Sequence, residues 1–130
     1  MRAEAILAYI LVCLAGCKPS PKYVIPAQET SRANPVQLTP DSATAGGQAY
    51  EASGCALCHG KDGDGHGALA RDVSMNTHDW RDPLAQKNYT DGDLFYIIAK
   101  GKGSMPGYET QMNSRQAWLM VDYIRSLARK

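Results

Sequence analysis

The chain is 130 residues long, with a formal net charge of +1, 44% hydrophobic residues and four cysteines. It is neither strongly basic nor strongly acidic and has no basic patch interleaved with aromatics, which gives nucleic-acid binding no footing. A chain of this length holds one small domain with a modest core, and the single Phe limits what that core contains.

The first segment has the form of a targeting sequence. Arg2 gives a basic start, and Ala5 to Ala15 is an unbroken apolar or aromatic run, short of the roughly 20 residues that span a bilayer. The run closes on Leu14-Ala15-Gly16-Cys17, which resembles the lipobox of bacterial lipoproteins. Residues 1–16 are therefore expected to leave as a lipoprotein signal peptide, taking Cys13 with them and exposing Cys17 as a lipidated N-terminus. The plainer alternative is an ordinary secretory signal with an incidental cysteine. The lipoprotein reading places the mature chain in the cell envelope. With the anchor it is held to a membrane and faces the periplasm or another extracytoplasmic space.

Residues 17–40 follow as lipidated Cys17 and a linker. Lys18 to Pro40 holds five of the seven prolines, few large apolar residues and no helical or strand period. Such a segment can extend by about 3.1 Å per residue, on the order of 70 Å in all, and so lets an anchored domain search for partners. Residues 41–130 remain as one domain.

Within that domain the pattern predicts three helices. The first runs from about Asp41 to Ser53, with Gly46 and Tyr50 four apart on one face. It delivers the chain to Cys55-Ala56-Leu57-Cys58-His59, and C-x-x-C-H is the spacing of covalent haem attachment. Two thiols three positions apart can reach both vinyl groups of one porphyrin as thioethers, and His59 is then carried beneath the ring to the iron. A thioredoxin-like pair would need a βαβ setting, and half a zinc site would need a second Cys or His pair. The sequence supplies neither. One covalent haem c would also provide the large apolar body that so short a chain lacks, and with Cys17 acylated no thiol is left for a disulfide.

The next loop, Asp62-Gly63-Asp64-Gly65-His66-Gly67, carries two aspartates without the spacing or closing Glu of an EF-hand. The second helix is predicted to start after Thr90 as N-cap, with Asp91 and Asp93 in its first turn, Leu94, Ile97 and Ile98 as its apolar stripe and Gly101 as its stop. The third begins at Asn113, with Gln116 three positions on, and is expected to reach about Ala128. Ala117, Met120, Val121, Ile124, Leu127 and Ala128 form its buried face, while Arg125, Arg129 and Lys130 suit the negative end of its dipole. No segment alternates as a strand does, so the fold is expected to be all-α.

An iron bound by His59 needs a second axial ligand or an open position. Met1 leaves with the signal, Met120 lies on an apolar helix face, Met112 precedes that helix, and Met75 sits in a polar loop. Met105 stands in Gly101-Lys102-Gly103-Ser104-Met105-Pro106-Gly107, where glycines allow close backbone approach to a flat surface and Pro106 fixes the chain just after the sulfur. Met105 is therefore the expected ligand, with His66 and His78 as competitors.

Taken together, Gly46 and Tyr50, Cys55-Ala56-Leu57-Cys58-His59-Gly60, Thr90-Asp91-Gly92-Asp93-Leu94-Phe95, Gly101, Met105-Pro106-Gly107-Tyr108, and Trp118 with Tyr123-Ile124-Arg125 resemble a bacterial class I cytochrome c. The resemblance spans residues 41–130 and implies three or more helices wrapped around one haem. It also implies that the first and last helices cross, with Gly46 or Gly47 permitting close approach to the Trp118 and Tyr123 region. Tyr50 stands five residues before Cys55 where many relatives place an aromatic four before, which leaves open which glycine makes the crossing. The Thr90 to Phe95 and Met105 to Tyr108 segments are most similar to monohaem lipoprotein cytochromes that accompany larger respiratory complexes such as alternative complex III.

The function this resemblance implies is electron transfer by a membrane-anchored monohaem cytochrome with His59 and Met105 as axial ligands, working in a respiratory chain. Its expected partners are redox proteins or a membrane respiratory complex, and no small-molecule substrate is expected. The alternatives are a fixed haem subunit of a larger membrane oxidoreductase, or a haem enzyme or gas sensor with a labile distal ligand.

Overall fold

The computed structural model describes residues 22–128. The expected signal peptide, Cys13, Cys17, Arg129 and Lys130 lie outside the described residues. Among the described residues seven helices follow in order: α1 Ala27–Thr30, α2 Pro40–Ala52, α3 Ala56–His59, α4 Ala68–Asp72, α5 Pro83–Lys87, α6 Asp91–Lys100 and α7 Ser114–Ser126. Among the described residues there is no strand, only an isolated bridge between Lys102 and Met105, and the fold is all-α. No described helix is long and apolar enough to cross a membrane.

The three long helices start by one mechanism. Thr39, Thr90 and Asn113 each accept a hydrogen bond from the backbone N–H three residues on, and the side chains of Ser42, Asp93 and Gln116 return the bond to the cap residue's own N–H. These reciprocal boxes satisfy donors that a helix start leaves unpaired. Asp93 thus acts as a capping partner as well as a charge near the positive end of the dipole.

Helices α2 and α7 cross in close contact. A Cβ on Gly46 would collide with the Leu119 carbonyl, whereas one on Gly47 would rest 3.2 Å from the Tyr123 ring. Gly46 is therefore the residue that permits the crossing. Beside it the Tyr50 and Tyr123 rings lie 5.0 Å apart. Helix α6 packs its Leu94, Phe95 and Ile98 against Trp118, Val121 and Ile124 of α7, and Phe95 stacks on Trp118 at 4.2 Å between centroids. Leu127 and Ala128 fall just beyond the end of α7 and are half-buried, with Leu127 still packed against the core, so the helix stops two residues short of the expected end.

Arg125 does more than face a dipole. Its guanidinium donates to Asp91 Oδ1 at 2.7 Å, to the Gln86 carbonyl at 3.0 Å and to the Tyr89 carbonyl at 2.7 Å. It thereby ties the end of α5 and the start of α6 to α7. Gln86 adds its own amide, donating to the carbonyls of Trp80 and Ile124.

The segment expected as a free linker is, from Tyr23 onward, folded onto the domain. Thr30 Oγ1 donates to Asp93, Thr90 Oγ1 donates to the Thr30 carbonyl, and Asn34 donates to the buried Asp122 at 2.7 Å. Arg32 lies over the Phe95 ring, 4.4 Å from its centroid. Gly92 meets α1 so closely that a Cβ there would collide with the Glu29 carbonyl. The prolines do limit regular structure here, but a linker needs the absence of docking contacts, and this stretch has polar caps and a cation that find partners on α6 and α7.

Candidate functional site

The C-x-x-C-H residues form a turn of helix whose entry and exit are both fixed. Helix α2 ends at Ala52, Gly54 turns the chain at φ +74°, and the Cys55 N–H donates to the Tyr50 carbonyl at 3.1 Å. The Tyr50 hydroxyl donates to the Gly60 carbonyl at 2.7 Å, and the Gly65 N–H donates to the His59 carbonyl at 2.8 Å. The extra residue between Tyr50 and Cys55 is thus absorbed by the Ser53-Gly54 turn, while Tyr50 still clamps the far end of the motif.

Cys55, Cys58 and His59 line a cleft of about 380 Å³, and Met105 lines it too. Leu94, Ile97, Ile98, Met120 and Ile124 supply much of its apolar surface, so α6 and α7 form its floor. Both cysteines are free and half-buried, and burial pushes the Cys55 thiol up to about 11. The His59 ring is held below the usual histidine range, first by burial and then by His78. Its Nδ1 is buried without a hydrogen-bond partner. A neutral imidazole in that setting keeps a lone pair available for a metal.

Met105 is presented by a tight turn. Lys102 and Met105 exchange backbone hydrogen bonds at 3.0 Å each, and the return leg is tied to α6 by Tyr108 N–H to the Ile98 carbonyl and Glu109 N–H to the Ala99 carbonyl. The competing ligands separate by position. Met112 faces a different pocket, near Phe95 and Asn113, and His66 is turned into its own loop, where its ring nitrogen meets the Asp64 carbonyl. Met75 and His78 do line the cleft with Met105, although His78 Nε2 is engaged 3.0 Å from the Tyr89 hydroxyl.

The sequence did not single out Trp80, Tyr89 or Lys102 as cleft residues. Each left a faint signal: Trp80 is one of two tryptophans, Tyr89 directly precedes the Thr90 cap, and Lys102 sits in the glycine-rich Met105 loop. The short helices α3, α4 and α5 also went unread, since four or five residues are too few to show a period.

Two free thiols, the His59 imidazole and a thioether lining one apolar cleft fit a covalently attached haem in their chemistry. An all-α domain built around such a motif is a cytochrome c domain. The chain belongs to the family described as cytochrome c oxidase, cbb3-type, subunit III, whose model matches residues 41–124. Among solved structures it is similar to a chain of the Kuenenia stuttgartiensis reducing HAO-like protein complex, with a TM-score of 0.61 and 20% sequence identity over 90% of this chain and 54% of that one. That likeness concerns the fold, and this chain spans about half the length of the other. No curated protein matches the chain. A cytochrome c domain implies covalently bound haem c and electron transfer.

Proposed function

We propose that this chain is a class I, monohaem, lipid-anchored cytochrome c that carries electrons in a respiratory chain. The observation that carries the reading is the single apolar cleft shared by Cys55, Cys58, His59 and Met105. In this reading Cys55 and Cys58 hold the porphyrin as thioethers, and His59 and Met105 are the axial ligands. The haem supplies a one-electron couple when bound. The protein's part is to keep both ligands in place in both oxidation states: the Tyr50 bond to Gly60 fixes the His59 turn, and the Lys102 to Met105 bridge fixes the sulfur. A neutral, soft thioether favours ferrous iron and raises the potential relative to a second imidazole. The apolar floor from α6 and α7 keeps water away from the iron.

Cys17 is proposed as the acylated anchor, with the domain in the cell envelope on the extracytoplasmic side. The docking of residues from Tyr23 onward changes how far such a domain reaches. From Cys17 to Tyr23 the chain spans at most about 20 Å even when fully extended, against the on the order of 70 Å of a free linker. That observation favours a domain held near the bilayer and serving a membrane-bound redox partner, including the role of fixed subunit in a larger complex, over a long-range carrier. The similar solved chain also belongs to a protein complex. The test is a redox titration of the purified holoprotein: one reversible one-electron wave with a Met-ligated ferric spectrum supports the reading, and a high-spin ferric spectrum with rapid carbon monoxide binding on reduction points to an enzyme or sensor.

A further inference from the structure

The cleft has a polar rim that the four proposed haem-attachment residues do not use. Two groups meet at the Tyr89 hydroxyl: the Lys102 ammonium donates to it at 3.2 Å, and His78 Nε2 sits 3.0 Å from it. Lys102 also lies over the Tyr89 ring, 5.1 Å from its centroid, and over the Tyr23 ring at 5.6 Å. The His78 and Tyr89 rings pack on each other and on the buried Trp80, with centroids 5.2 to 5.6 Å apart. Their polar tips are therefore carried on a fixed aromatic platform.

This rim is rich in donors and has no counter-charge. Among the described residues Lys102 is the only Lys or Arg lining the cleft, and neither Asp nor Glu lines it. Among the described residues Lys102 makes no ion pair. An ammonium, a phenol and an imidazole converging beside an apolar cavity suit a carboxylate, which accepts charge-assisted hydrogen bonds from all three.

The cysteines mark which wall is which. The Tyr50 carbonyl accepts from the Cys55 N–H at 3.1 Å, which puts Tyr50 beside the thiols, and Tyr108 is raised first by burial and then by Cys55 and Cys58. The Tyr50 hydroxyl is already committed to the Gly60 carbonyl. His78, Tyr89 and Lys102 come from other segments, the 77–89 connection and the Met105 loop. In a c-type haem the two thioethers and the two propionates lie on opposite edges of the ring.

Resting on the cytochrome reading above, we propose that His78, Tyr89 and Lys102 form the site that receives the haem propionates. Lys102 provides the charge, and Tyr89 and His78 provide directional hydrogen bonds. Because Lys102 and Met105 are bridged by two backbone hydrogen bonds, a propionate held by Lys102 also steadies the turn that carries Met105. Cofactor binding and positioning of the distal sulfur then share one structural unit.

The test uses the ferrous holoprotein, after a pyridine haemochrome spectrum has established covalent haem. Nuclear Overhauser contacts are expected from the propionate methylene protons to the ring protons of Tyr89 and His78. Lys102→Gln is expected to lower the midpoint potential, because it removes a positive charge that opposes ferric iron. Lys100→Gln, at an exposed lysine paired with Glu109 outside the cleft, is expected to move it less. Propionate contacts to Tyr50 and Tyr108 instead, or a Lys102→Gln shift no larger than the Lys100→Gln shift, overturn the assignment and leave haem attachment standing. Without covalent haem, the cytochrome reading and this inference fall together.

Discussion

The Tyr23 hydroxyl donates to the Gly101 carbonyl at 2.9 Å, across 78 positions of sequence. Gly101 ends α6 and opens the Met105 loop, so the segment before the domain is bonded directly to the base of that loop. The same strap passes close over Gly92 of α6, where a Cβ would collide with the Glu29 carbonyl. Gly92→Ala is expected to destabilise the holoprotein by about 1–3 kcal/mol, the usual range for forcing a methyl into a packed contact. Thermal unfolding checks this, and a melting temperature equal to wild type would mean that the strap is not held.

The α2–α7 crossing gives a sharper stability prediction. Gly46→Val is expected to cost about 3 kcal/mol or more, because the Leu119 carbonyl is backbone and cannot rotate aside. Gly47→Ala, whose Cβ would meet only the Tyr123 ring at 3.2 Å, is expected to cost clearly less. Denaturant midpoints of the two variants decide it; equal losses would contradict the assignment of Gly46 as the contact glycine.

These two glycines show what the sequence could and could not convey. The caps Thr90 and Asn113, the second with Gln116 three positions on, were legible, and so α6 and α7 began where expected, whereas Asp93 had shown only as a charge near the dipole. Gly46 and Gly47 are adjacent and identical in type, so only the approach of α7 distinguishes them. The docked strap was illegible for a related reason. Thr30, Arg32 and Asn34 look like solvated linker residues until Asp93, Phe95 and Asp122 are placed beside them. Of the proposed site, Cys55, Cys58, His59 and Met105 were carried by motif and loop composition, whereas His78, Tyr89 and Lys102 converge only in the fold.

Asp93 makes stability depend on pH in a defined direction. Although its burial acts to raise the pKa, hydrogen bonds from Thr90 and Thr30 outweigh that, and its carboxyl is held below the usual carboxylate range. The folded pKa therefore lies below the unfolded one, and the contribution is complete above the unfolded value of about 3.9 and disappears as pH falls through the folded value. The melting temperature of wild type is expected to exceed that of Asp93→Asn near neutral pH, with the gap closing below about pH 4. A gap that widens in acid would reverse the sign and contradict the capping role.

The distal ligand can be assigned by comparing Met105 with Met75 and His78, which share its cleft. Met105→His is expected to remove the weak far-red absorption of Met-ligated ferric haem and to lower the potential on the order of 100 mV, within the about 0.8 V that axial ligation spans. Met75→Leu and His78→Gln are expected to keep the band, since the structure gives neither a turn like the Lys102 to Met105 bridge. Loss of the band in Met75→Leu with its survival in Met105→His would move the ligand.

The proposed mature chain begins at an acylated Cys17 and carries one haem on Cys55 and Cys58. The intact mass of the protein extracted from membranes tests it most directly, because cleavage, acylation and covalent haem each change that mass by a characteristic amount. The expected mass is that of residues 17–130 plus acyl groups and one haem. A chain of unmodified mass from which the pigment is extracted by acidified solvent would contradict it.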